Sequence, residues 1–170
     1  MKKIDITVFF QNEKSQDCGP VCTQMVLHYF GRERKLEEIK KGMTYIPNEG
    51  TYLYEQGLIF LKEGFKTELI TANPLLFKQN DKLKLKDTYD ILKHLTDIKR
   101  KNQSKKKAIT LFQNYIKKGG KVKIEIPLLD HIIKALDTGR LVIALIYGGA
   151  LGENEGGFHF VVVTGYKKGF

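Results

Sequence analysis

Two cysteines and one histidine carry the strongest chemical signal in this chain. Cys18 stands in Asp17-Cys18-Gly19-Pro20-Val21-Cys22, where turn and helix-opening residues lead into an apolar-periodic run that stops at Gly31. The spacing of Val21, Cys22, Met25, Val26 and Tyr29 predicts a helix over residues 18–30. A thiol on the first turn faces backbone N–H groups without partners and the positive end of the helix dipole, and both favour its thiolate. Far downstream, Gly157-Phe158-His159-Phe160-Val161-Val162-Val163-Thr164-Gly165-Tyr166 sets one histidine at the mouth of a strongly apolar strand. An early cysteine and a late histidine, joined by folding, supply the nucleophile and the general base of acyl transfer. Cys22 lies one turn further on, within the apolar stripe, and reads as a buried structural thiol. His28, His94 and His131 lack a comparable setting and read as structural or exposed.

Acyl transfer also needs donors for the developing oxyanion, usually the nucleophile's own backbone N–H and a side-chain amide. Gln11, Asn12 and Gln16 all lie just upstream of Cys18. No Cys/His spacing resembles a zinc site, and no glycine-rich loop is followed by Lys-Ser or Lys-Thr. Neither a metal nor a cofactor is therefore expected. The Gly148-Gly149 and Gly156-Gly157 pairs read as a lid or a rim that binds backbone.

The elements that must position these residues follow from periodicity. Residues 4–10 alternate loosely and are rich in β-branched and aromatic types, which predicts a short strand. Helices are expected over 36–43 and 51–63, the second closed by Gly64, then a strand over 65–72 cut off at Asn73-Pro74. Two further helices are expected over 86–101 and 105–118, separated by Asn102-Gln103-Ser104, with apolar stripes at Leu92, Leu95, Ile98 and at Ile109, Phe112, Ile116. A strand over 121–126 and a helix over 128–136 follow. The two most apolar runs, 141–147 and 158–166, are expected as central strands. Helices dominate the first two thirds and strands the last third, a segregated α+β pattern.

At 170 residues the chain is expected to form one domain with a core that needs no disulfides. Cys18 and Cys22 are four apart on one helix, parallel rather than in disulfide geometry, so both are expected as thiols in a reducing, cytoplasmic setting. The N-terminus lacks the features of a signal peptide, and no run reaches the ~18 apolar residues of a spanning helix. A soluble monomer is the expectation. The net charge of +10 is uneven: residues 78–123 hold fifteen of the 29 Lys and Arg but four of the 19 Asp and Glu. Such a basic insert is read first as the solvated faces of two helices. Nucleic acid, through the Lys99 to Lys107 region, is the less favoured partner for it.

With both motifs in hand, the chain resembles the C39-like branch of the papain-like cysteine peptidases, whose typified members trim double-glycine leader peptides from bacteriocin precursors. The residues that carry this are the Gln11 region, Asp17-Cys18-Gly19-Pro20-Val21-Cys22 and Gly157-Phe158-His159-Phe160-Val161-Val162-Val163-Thr164-Gly165-Tyr166. Gly64-Phe65 and Ala72-Asn73-Pro74-Leu75-Leu76-Phe77 add a weaker likeness to a stand-alone C39-like group. The resemblance implies a papain-like fold over 1–170, its nucleophile helix in an N-terminal helical part that packs on a C-terminal antiparallel sheet, with a basic helical insert at about 78–120. It implies a cysteine peptidase or related amide hydrolase or acyl transferase acting on a peptide or protein, with Cys18 as nucleophile and His159 as base. The family's oxyanion glutamine usually stands six residues before the cysteine; Asn12 holds that place, and Gln11, one step further out, is taken as the donor with Asn12 as second choice. The family's histidine-orienting residue follows about one hairpin later, yet no Asp, Asn or Glu occurs after His159; the favoured expectation is an orienter beyond Phe170, the others being a substitute residue from elsewhere in the chain or a non-catalytic relative. The alternative is a non-catalytic papain-like fold whose basic helices bind nucleic acid or an acidic partner.

Overall fold

The computed structural model describes residues 2–12, 15–46, 50–73, 75–78, 85, 87–151 and 157–167. Pro74, the start of the basic segment, most of the loop around Gly156 and the final residues 168–170 lie outside this set. Helix and strand are both present, as the α+β reading expects. The chain divides into two compact units, one made of residues 1–56 and 128–170, the other of residues 57–127.

The first unit is organised around α1 (Cys18–Tyr29). Val21, Cys22, Met25 and Val26 are all at most 9% exposed and Leu27 is fully buried, so four of the five residues of the predicted stripe enter the core, while Tyr29, at the end of the helix, is 41% exposed. The helix ends as the sequence requires: Gly31 takes φ +70°, Gly31 N–H donates to His28 O and Arg32 N–H to Leu27 O. These two bonds satisfy the last carbonyls, and only glycine adopts that backbone angle without strain. A short α2 (Leu36–Lys41) buries Ile39. Among the described residues, β1 (Lys2–Lys3) pairs antiparallel with β8 (Gly165–Tyr166), and β2 (Tyr45–Ile46) with β3 (Gly50–Thr51). After α6 (Leu129–Asp137), β6 (Val142–Tyr147) pairs antiparallel with β7 (Phe158–Val163), Ile146 opposite His159. α1 lies against β7, where Cys22 Sγ donates to Phe160 O at 3.2 Å.

The strand expected over 4–10 does not form. Pairing with β8 ends at Lys3, apart from one bond from Ile4 N–H to Thr164 O, and β-propensity without a partner backbone leaves a chain extended but unladdered. Val8 and Phe10 are accordingly 55% and 87% exposed. The expected central strands, β6 and β7, pair only with each other among the described residues and are half-buried.

α3 (Leu53–Lys62) begins in the first unit and continues into the second. It closes at Gly64, φ +87°, with Phe65 N–H donating to Phe60 O and the two phenyl rings edge to face at 6.3 Å. That is the same glycine-capped ending with its usual apolar contact. In the second unit β4 (Glu68–Thr71) and β5 (Lys121–Ile124) pair in parallel, and the crossover between them carries α4 (Thr88–Lys101) and α5 (Lys106–Lys117). Parallel strands need a long connection, and the basic helices supply it. Asp87 caps α4 by accepting from Asp90 N–H at 2.9 Å. The α5 stripe is as expected, with Ile109, Phe112 and Ile116 at most 5% exposed. On α4 the buried pair is Ile91 and Leu95, while Leu92 and Ile98 are half-buried, so the helix is rotated by about one residue from the predicted stripe. Gln113 Nε2 donates to Thr96 Oγ1, which donates to Leu92 O, a polar tie between the two helices.

Candidate active site

Cys18 opens α1, following the N-cap position held by Asp17, and Val21 N–H closes the first turn on Asp17 O at 2.9 Å. Pro20 falls within that turn, where its missing N–H has no helical acceptor to lose. The Asp17 side chain does not cap the helix. It is 6% exposed and accepts from Tyr45 OH at 2.5 Å and from Lys40 Nζ at 3.2 Å. Burial alone would push this carboxyl up, but the bonds from Tyr45 and Lys40 and the Lys40 charge outweigh it and hold Asp17 below the usual carboxylate range. Tyr45 is pushed up, by burial first and by the Asp17 carboxylate second. Tyr45 and Lys40 lie 28 and 23 residues along the chain from Asp17, so no local pattern could have announced them.

Cys18 is partly exposed and Cys22 is buried. Burial, and secondarily the charge of Cys18, pushes the Cys22 thiol up to about 12 against an opposing backbone hydrogen bond at Val162. Cys22 is thus a neutral thiol that packs and donates to Phe160 O, in keeping with its structural reading.

One cleft of about 330 Å³ collects the residues the sequence singled out: Gln11, Cys18 and His159 all line it. Its remaining walls are Phe9, Phe10, Val21, Cys22, Met25 and Phe160 to Val162. Gln11 arrives on the irregular segment before α1, Cys18 on the first turn of α1 and His159 on β7. Gln11 lines the cleft with its Oε1 buried and without a hydrogen-bond partner; the Nε2 of the same amide is a donor. Asn12 is exposed and not among the lining residues; its backbone carbonyl accepts from Ser15 N–H in a turn.

The other histidines have structural partners. His28 Nε2 lies 3.4 Å from Glu33 Oε1 and its ring meets Phe9 edge to face. His94 stacks on Phe77 and contacts Leu76 O at 2.8 Å, and His131 Nδ1 accepts from Leu128 N–H at the start of α6. Among the described residues no group of three His, Cys, Asp or Glu is placed to hold a metal ion, and no helix is long and apolar enough to cross a membrane.

Behind the first turn, sequence reasoning missed two polar residues. Thr51 and Gln56 are 6% and 2% exposed, and Thr51 Oγ1 and both ends of the Gln56 amide are buried without hydrogen-bond partners. They abut Gly19, where a Cβ would overlap Thr51 Oγ1 and come within 3.1 Å of Gln56 Nε2. Only glycine lets the first turn of α1 approach them so closely.

No curated protein and no solved structure gives a significant match to the chain. A family model described as the Peptidase C39 family matches residues 7–86, a stretch that contains Gln11, Cys18, Asp17 and its partners Lys40 and Tyr45, and ends before His159. Residues 7–86 thus match the Peptidase C39 family model, which supports a C39-like domain there.

Proposed function

We propose that the chain is a cysteine peptidase, or a closely related amide hydrolase or acyl transferase, working with Cys18 and His159 in a papain-like arrangement. The observation that carries this reading is the cleft shared by Gln11, Cys18 and His159 in a chain whose first half matches a peptidase family. In the proposed reaction the Cys18 sulfur attacks the substrate carbonyl carbon and its proton passes to His159. The carbonyl oxygen, now negative, is met by the Cys18 backbone N–H and Gln11 Nε2. Collapse breaks the carbon–nitrogen bond, the His159 proton leaves with the amine, and an acyl thioester remains on Cys18. Water, deprotonated by the same imidazole, releases the acid; an amine in its place gives a transferase.

The fold that goes with this proposal is a single C39-like domain in which residues 78–120 form the basic helical insert. Both thiols suit a reducing compartment. Turnover of a quenched peptide library tests the chemistry. Cys18→Ala and His159→Ala are expected to lose at least ~10³-fold in kcat/KM, and Gln11→Ala ~10²-fold. A Cys18→Ala variant with full activity would contradict the assignment.

A further inference from the structure

Asp17 stands where helix-capping residues stand and does not cap. As the N-cap of α1, its carboxylate would ordinarily accept from an N–H of the first turn. Pro20 has none to give, so Gly19 N–H, one residue past Cys18, is the group it would take. A carboxylate there would set a negative charge at the positive end of the dipole, in the same field that favours the Cys18 thiolate. Instead the side chain is buried and turned away, accepting from Tyr45 OH at 2.5 Å and from Lys40 Nζ at 3.2 Å. Tyr45 is itself held in place. Both carboxylate oxygens of Glu55, a residue 3% exposed, accept from Thr44 N–H at 2.9 and 3.0 Å and fix the backbone next to Tyr45, which pairs with Thr51 across β2 and β3. Lys40 also lies 3.4 Å from Glu37, but that side chain is 74% exposed and screened by water, so the buried Asp17 has the stronger claim on the ammonium.

Resting on the assignment of Cys18 as nucleophile above, we infer that Tyr45 and Lys40 are positioning residues for it: together they hold the Asp17 carboxylate off the mouth of α1 and keep the first-turn N–H groups for the sulfur and the oxyanion. Tyr45 supplies the geometry and Lys40 cancels the charge. The other titratable groups around this arrangement are Glu37 and Glu55 beside the two partners, and Cys22 and His159 beside Cys18.

Alkylation of Cys18 by iodoacetamide, resolved by mass spectrometry at about pH 6.5 and about pH 10, tests this without a substrate. Tyr45→Phe,Lys40→Met is expected to slow Cys18 at least ~5-fold at the lower pH and less than ~2-fold at the higher, where an ordinary thiol is already ionised. Adding Asp17→Ala to that pair is expected to bring the rate at about pH 6.5 back to within ~2-fold of the wild type, because no carboxylate remains to occupy the helix mouth. A role in folding alone would not be rescued by removing a third side chain. Cys22 stays unlabelled while the core is intact; if it is labelled in the double variant, Lys40→Met alone, which leaves the tyrosine in place, is read instead, with a loss of ~3-fold expected and again reversed by Asp17→Ala. An undiminished rate at about pH 6.5, an equal loss at both pH values, or a loss that Asp17→Ala does not reverse would overturn the inference. Failure of the peptidase reading shows differently, as no cleavage of any peptide and a Cys18 rate indifferent to His159→Ala.

Discussion

Asp17 and Cys22 bracket the candidate nucleophile in sequence and respond to pH in opposite directions. Asp17 is ionised and held below its ordinary 3.8 by Tyr45 and Lys40, so its contribution to stability is present above that value and drains away as the pH falls through the lower folded pKa. Asp17→Asn is expected to be less stable near neutrality and to show a flatter acid limb below about pH 4, read from urea midpoints across pH. Cys22 behaves in reverse: its folded pKa of about 12 lies above the ordinary 9.0, so its contribution is intact below pH 9 and is lost as the pH rises toward 12. Cys22→Ala should therefore be less sensitive to alkali over that window, and an alkaline limb unchanged by the substitution would show that Cys22 is not the group responsible. Neither partner set was visible in the sequence. Asp17 read as a turn residue at a helix mouth, whereas its side chain is turned away from the helix to a tyrosine and a lysine brought up by folding.

At the scale of elements, α1 is the part that positions the chemistry, and its contact with β3 and β7 depends on a missing side chain. Gly19→Ala would drive a methyl group into Thr51 Oγ1, toward Gln56 and to 3.3 Å from the Phe160 ring. The expected cost is ~1–3 kcal/mol, measured as a shift in denaturation midpoint, with Gly19→Ala,Thr51→Gly recovering part of it. Much of this level was legible beforehand. Gly31 and Gly64 end their helices where the sequence places them, and the α5 stripe is the one its spacing predicts. What failed among the strands has a common cause: residues 4–10 carry strand-forming types, and β6 and β7 carry the apolar runs of central strands, but strand formation and burial depend on which backbone lies alongside. Periodicity records what a segment can bury; it does not record the neighbour. Gln11, one step outside the family spacing, lines the cleft, and Asn12 is not among its lining residues.

For the molecule as a whole, the uneven charge sets a measurable condition. Fifteen basic against four acidic residues over 78–123 repel one another, and Lys105 to Lys107 sit where α5 begins, at the positive end of its dipole with no acid in the first turn. Raising the salt from about 0.01 M to about 1 M shortens the screening length from ~30 Å to ~3 Å, so the unfolding temperature is expected to climb by about 2–4 °C, equivalent to ~1 kcal/mol. A flat or falling profile would mean the basic residues are already compensated. The central claim is also a whole-molecule one, since positions 11, 18 and 159 act together only through the fold. Its most direct test is the rate of iodoacetamide alkylation at Cys18 and Cys22, resolved by mass spectrometry near neutral pH, in the wild type and in His159→Ala. The account predicts rapid modification of Cys18, negligible modification of Cys22, and a Cys18 rate that drops at least ~10-fold when His159 is removed. A Cys18 rate no faster than that of an ordinary free thiol, and indifferent to His159, would contradict it.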